Sequence, residues 1–160
     1  MKNTDLKPLS VWLVAIIFWS SSSAAAQNLP LAFPTGDHLE QVEGLYNSHP
    51  VSLIEACGWS IDSAGLQWLS FLEAIEQKAS TLGVDLRGVR LVLTVFFQGD
   101  GQIKHLGFAR QVTSRNIREE ILEAFFRQFA NEYRLEVGAD SGFFHEGPAI
   151  FPLRPERTGG

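Results

Sequence analysis

The sequence predicts an α+β domain: an antiparallel sheet built on a central β-hairpin, about residues 89–110, with two helices packed on it. Two observations carry this. A run rich in β-branched and aromatic residues, Gly88 to Gln98 (GVRLVLTVFFQ), is joined by Gly99-Asp100-Gly101 to a second strand-like run, Gln102 to Gln111. On either side of that hairpin, apolar residues recur at three- and four-residue steps, the signature of amphipathic helices.

The chain opens with a segment that reads as an export signal rather than as part of the fold. Lys2 and Lys7 outweigh Asp5, Val11 to Trp19 is an unbroken apolar run, and Ser20 to Ala26 (SSSSAAA) ends in small residues of the A-x-A pattern. The apolar run is far shorter than the ~20 residues that span a bilayer. Residues 1–26 are therefore expected to be a cleaved signal peptide, with the cut near Ala26-Gln27 and a periplasmic or secreted product. No stable membrane insertion is expected after cleavage.

Removing 26 of the 160 residues leaves 134, enough for one domain with its own core. Taking two lysines and one aspartate from 13 basic and 18 acidic residues leaves 11 and 17, a net charge of −6. That balance argues against nucleic acid, whose phosphates need clustered Lys and Arg. Cys57 is the single cysteine, so an oxidising compartment offers it no internal disulfide partner.

Residues 27–62 read as an N-terminal extension packing on the domain. Gln27 to Asp37 is an extended lead-in with two prolines and a glycine, His38 to Tyr46 a short helix, and Asn47-Ser48-His49-Pro50 a turn. Val51 to Trp59 is apolar but too short for periodicity to choose between strand and helix. The α+β domain proper is expected over 63–153. Its first helix starts at Ser63, carries Leu66, Trp68, Leu69, Leu72, Ile75, Ala79 and Leu82, and ends at Gly83 in a left-handed cap.

In the first hairpin strand Val89, Leu91, Leu93, Val95 and Phe97 alternate with Arg90, Val92, Thr94 and Phe96. Both faces are largely apolar, so one is expected under the helices and the other under a further segment or a partner. Asp100-Gly101 is expected to supply the positive φ angles of a tight turn. Ser114 or Asn116 would cap the second helix, with Ile117, Ile121, Ala124, Phe125, Phe129 and Tyr133 as its apolar stripe. Val137 to Ser141 reads as a loop, Ala149 to Leu153 as a last strand with Pro152 at its end, and 154–160 as a disordered tail.

The candidate binding residues are Phe96, Phe108, Phe143, Phe144 and His145. Aromatics beside the titratable His145-Glu146 pair are the composition of a pocket wall. No catalytic constellation is visible. His38, His49, His105 and His145 show no H-x-x-x-H or H-x-H spacing, so neither a metal nor another cofactor is expected. The parts of a thiol hydrolase are present as the alternative: Cys57 as nucleophile and His145 as base, with Glu55 or Asp62. Capture of a small apolar ligand between helix and sheet is a further possibility.

From Gly83 to Leu153 the order G-x-x-x-x-G (Gly83 to Gly88), hydrophobic strand, Asp100-Gly101 turn, returning strand, helix 117–133 and closing strand resembles the C-terminal domain of TonB-type energy transducers. The resemblance implies binding by strand addition to a peptide of an envelope protein. The family's Tyr-Pro element and Pro-rich linker have no counterpart here. The expectation is thus an exported, non-catalytic protein-binding module of the bacterial envelope.

Overall fold

The computed structural model describes residues 29–154; the expected signal segment and most of the expected tail lie outside them. In chain order the elements are β1 (Ala32–Pro34), a 3-10 turn (Thr35–Asp37), α1 (Leu39–Ser48), β2 (Val51–Ser52), α2 (Leu53–Ala56), α3 (Ile61–Leu82), β3 (Arg90–Phe97), β4 (Ile103–Arg110), α4 (Glu119–Glu132) and β5 (Phe143–Ile150). Five strands form one sheet in the order β1-β4-β3-β5-β2. The fold class is α+β, as expected, but the sheet is mixed rather than purely antiparallel. β3 runs antiparallel to both β4 and β5, while β1 joins β4, and β2 joins β5, in parallel. Four α-helices are present among the described residues instead of two. Residues 29–62 are part of the fold itself, supplying both edge strands, α1 and α2.

The hairpin closes differently from the expectation. Gly101 donates to the Gln98 carbonyl (2.9 Å) and Gln98 to the Gln102 carbonyl (2.8 Å), and Gly101 alone of the turn residues has a positive φ, 84°. This is a three-residue loop with a left-handed third residue, in which Asp100 does not have a positive φ. Downstream the register slips between Phe96↔His105 and Phe97↔Ile103, a bulge at Lys104. The slip lets Ile103 point into the same core as Leu106 and Phe108.

That core lies between the sheet and α3 with α4. Leu91, Leu93, Val95 and Phe97 meet Phe71, Leu72 and Ile75 of α3 and Leu122, Phe125, Phe126 and Phe129 of α4, all buried. Phe71 is at its centre, 5.3–6.0 Å from the rings of Phe97, Phe129 and Tyr133 and stacked on Trp68 at 4.9 Å. On the opposite face Phe33 and Phe96 are covered by Val42, Leu45 and Tyr46 of α1. The second apolar face thus has an internal cover.

Local sequence explains the helix ends. Ser52 and Glu55 form a reciprocal capping box at α2, and Ser60 caps α3. Gly83 ends α3 at φ 69°, with Val84 donating back to Ala79 (2.8 Å). Neither Ser114 nor Asn116 caps α4. Its N-cap is Arg118 with no side-chain bond, and Asn116 instead accepts from Arg110. The buried stripe of α4 is Leu122, Phe125, Phe126, Phe129 and Ala130, whereas Ala124 faces solvent. The last strand begins at Phe143, six residues before the expected position.

The edges follow from the pairing. Gln111 donates to Arg90 (2.9 Å), so even-numbered residues of β3 bond β4 and odd-numbered ones face β5. With Leu91 opposite Ala149, the backbone groups of Phe144, Glu146, Pro148 and Ile150 point away from β3. On the other side Leu106 donates to Leu31 (2.8 Å), which turns Ala32 and Pro34 outward. Each outer edge therefore carries a proline without an N–H donor, a recognised means of blunting it.

Candidate functional site

The five residues singled out from sequence do not converge. Phe96 is fully buried under α1, where Phe144 packs edge-on to Tyr46 at 4.9 Å. Phe143 is fully buried on the other side of the sheet, stacked on Phe97 at 5.0 Å, and Phe108 packs there against Phe126 at 5.4 Å. His145 lies against the Trp68 indole, ring centres 4.5 Å apart, and burial pushes its pKa down. Alternation along β5 thus sends adjacent residues to opposite faces. Most of this set is core.

Two polar features sit on the α1 face. Glu146 accepts from Tyr46 (2.8 Å) and from buried Thr94 (3.1 Å) through the same carboxylate oxygen. Burial, then the carboxylate, pushes the Tyr46 pKa up to about 12, so the phenol stays a donor and ties α1 to β5. His49, buried against Phe96, bonds the Leu45 carbonyl (3.0 Å) and the Ser48 hydroxyl (2.9 Å). Burial lowers its pKa, and Lys104 lowers it further; burial likewise lowers that of His105. These groups join α1 to the sheet.

Cys57 is half-buried just after α2, and burial raises its pKa, which favours the unreactive thiol. Glu55 is already engaged by the Ser52 amide (2.7 Å). Among the described residues no three His, Cys, Asp or Glu side chains are placed to hold a metal ion. A groove of about 320 Å³ runs between α3 and α4, lined by Ala74, Thr81, Phe129 and Tyr133 and crossed by the Lys78–Glu132 ion pair. It is open to solvent along the helices rather than enclosed between helix and sheet.

The most unusual surface lies at the α2–α3 junction. α2 ends with Gly58 at φ 67° donating to Glu55 (2.9 Å) and Trp59 donating to Ile54 (2.8 Å), the paired bonds of a Schellman stop. Trp59 is itself left-handed, φ 64°, the one non-glycine so placed among the described residues. A bulky side chain there costs about 1–3 kcal/mol, and such strain points to a function for the position. Trp59 is 73% exposed, next to Ile61 at 73%, with Leu66 at 66% and Leu69 at 44% further along α3. Ile61 and Leu69 are two turns apart on one line, and Leu66 is the (i, i−3) neighbour of Leu69, so the side chains form one patch.

Sequence reasoning placed Leu66 and Leu69 in the buried stripe. The angular signal for their exposure was available. Leu66 and Ile75 are nine residues apart, about 900° of helix rotation, which is half a turn out of phase. With Ile75 fully buried, Leu66 has to face outward. No helix among the described residues is long and apolar enough to cross a membrane. No protein-family model, curated protein or solved structure matches this chain.

Proposed function

We propose that this chain is a non-catalytic protein-binding module of the bacterial envelope, working after export, and that its contact surface is the apolar corner of Trp59, Ile61, Leu66 and Leu69. The observation that carries the reading is Trp59, a large aromatic held outward on a left-handed backbone beside three further exposed aliphatic side chains. Contiguous exposed apolar surface of this kind marks interaction sites, and Trp is over-represented among residues that dominate binding energy. A photoreactive amino acid at Trp59, in the full chain made in its own cells, tests it. The expected result is a discrete protein adduct that disappears when Leu66 and Leu69 are both changed to Ser. The absence of any protein adduct would refute it. Export is tested separately: the N-terminus of the processed protein should be Gln27.

Strand addition, the mode implied by the likeness to TonB-type domains, has one observation in its favour. β2 pairs only Phe143 and Phe144 of β5, which leaves the outer side of residues 145–150 without a strand neighbour. Pro148 limits what that edge can offer a peptide to the donors on Glu146 and Ile150. In this mode those two amides gain protection from hydrogen exchange when the partner binds. With side-chain docking at the corner they do not.

A further inference from the structure

We infer that the occupant of the α2–α3 corner is a basic amphipathic helix of a protein partner, an inference that rests on the corner being the contact surface. Three observations lead to it. First, Asp62, Leu66, Leu69 and Glu73 follow one another at steps of four, three and four residues. That is the spacing of a coiled-coil seam, a narrow stripe suited to one docked helix. All four are exposed.

Second, Gly65 lies between Ile61 and Leu69 on the adjoining line of α3. A Cβ built on it meets nothing within 4 Å, so no neighbour within the protein requires a glycine there. Glycine in mid-helix is unfavourable relative to alanine, and at a helix-helix contact it allows close backbone approach. Third, residues 29–77 contain seven acids, Asp37, Glu40, Glu43, Glu55, Asp62, Glu73 and Glu76, and no Lys or Arg. The seam is acidic at both ends. Glu73 is met by Arg154 at 3.3 Å, but that arginine side chain is 87% exposed, and so solvated a pair is readily exchanged for an incoming cation.

The charge selects among occupants. An anionic lipid surface would be repelled by Asp62 and Glu73. A second copy docked on a two-fold axis would place the same acids against each other. A helix with an apolar stripe flanked by Lys and Arg satisfies both the seam and its ends.

The test uses the full chain with photoreactive benzoylphenylalanine at position 66, where exposure makes the fold insensitive to the change, and mapping of the adduct by mass spectrometry. The expected adduct lies in a partner segment with apolar residues at three- and four-residue steps and Lys or Arg beside them. Asp62→Lys together with Glu73→Lys should lower the adduct yield about tenfold, while Asp140→Lys, exposed on the loop before β5, should leave it unchanged. Adducts on an acidic or uncharged segment, on phospholipid or on a second copy would overturn the inferred partner while leaving the corner a contact surface. So would a yield indifferent to the double charge reversal. No adduct of any kind would overturn the contact surface itself.

Discussion

Replacing Gly65 with Ala should make this protein more stable and bind its partner less well. Gly65 is the fifth residue of α3, exposed, with space on all sides of a built Cβ. Alanine removes the excess backbone freedom of glycine from the unfolded chain and clashes with nothing in the folded one. The gain at an unobstructed mid-helix site is about 1 kcal/mol. For a domain of this size that corresponds to a rise in Tm of roughly 3–5 °C. Urea unfolding followed by far-UV circular dichroism would show it as a higher midpoint, by about 0.5 M, with an unchanged m-value. Unaltered or reduced stability at constant m would refute the reasoning, because it would mean that the fold itself uses the glycine. Opposite movement of stability and docking separates a contact role from a folding role.

The other predictions concern the frame around that corner. Gly101→Ala should cost more than about 2 kcal/mol, since a Cβ there lies 2.0 Å from the Leu135 carbonyl oxygen and the residue has φ 84°; a urea midpoint within error of wild type would contradict this. Phe71→Ala should cost about 3–5 kcal/mol and Leu66→Ala under about 0.5, the contrast of a fully buried ring with an exposed leucine, read from paired denaturation curves. Acid should weaken the fold through three histidines. His49, His105 and His145 have folded pKa values below their ordinary value of 6.5, so below that pH the unfolded chain binds more protons than the native one. Stability is then complete above about pH 6.5 and falls as pH drops toward the lower folded values. Urea midpoints at pH 7.5, 6 and 5 should decline in that order, and a flat profile would exclude the effect.

What the sequence made legible was whatever rests on local chemistry. The hairpin, the left-handed stop at Gly83 and the existence of both long helices follow from residue types at fixed offsets. β1 and β2 were not legible, because three and two residues have no periodicity. They are strands only because β4 and β5 offer them unpaired edges. β5 begins six residues before the expected Ala149, because its Gly147-Pro148, a turn signal in isolation, is tolerated where the proline points away from β3. The stripe of α4 was read as Ile117, Ile121, Ala124, Phe125, Phe129 and Tyr133; Phe125 and Phe129 are buried, but Ala124 is exposed, and Leu122, Phe126 and Ala130, which fit the same spacing rules, are buried in addition. Contact of α4 with β1 and β4 buries this second set.

The apolar second face of the hairpin was the original reason to expect a partner, and the fold disposes of it internally. Val42, Leu45 and Tyr46 cover Phe33 and Phe96, and the Tyr46–Glu146–Thr94 bonds hold that cover in place. With Pro34 and Pro148 turned outward on the two edges, each of these edges lacks a backbone donor at one position. On the proposed reading recognition falls to side chains, at the corner where Trp59, Ile61, Leu66 and Leu69 stay exposed. Such a surface distinguishes partners by shape and charge, so its affinity should fall with salt as the Asp62 and Glu73 ends are screened. A strand-addition interface held by backbone bonds would be far less sensitive. Binding measured at low and high ionic strength therefore separates the two modes even before the partner's binding segment is mapped.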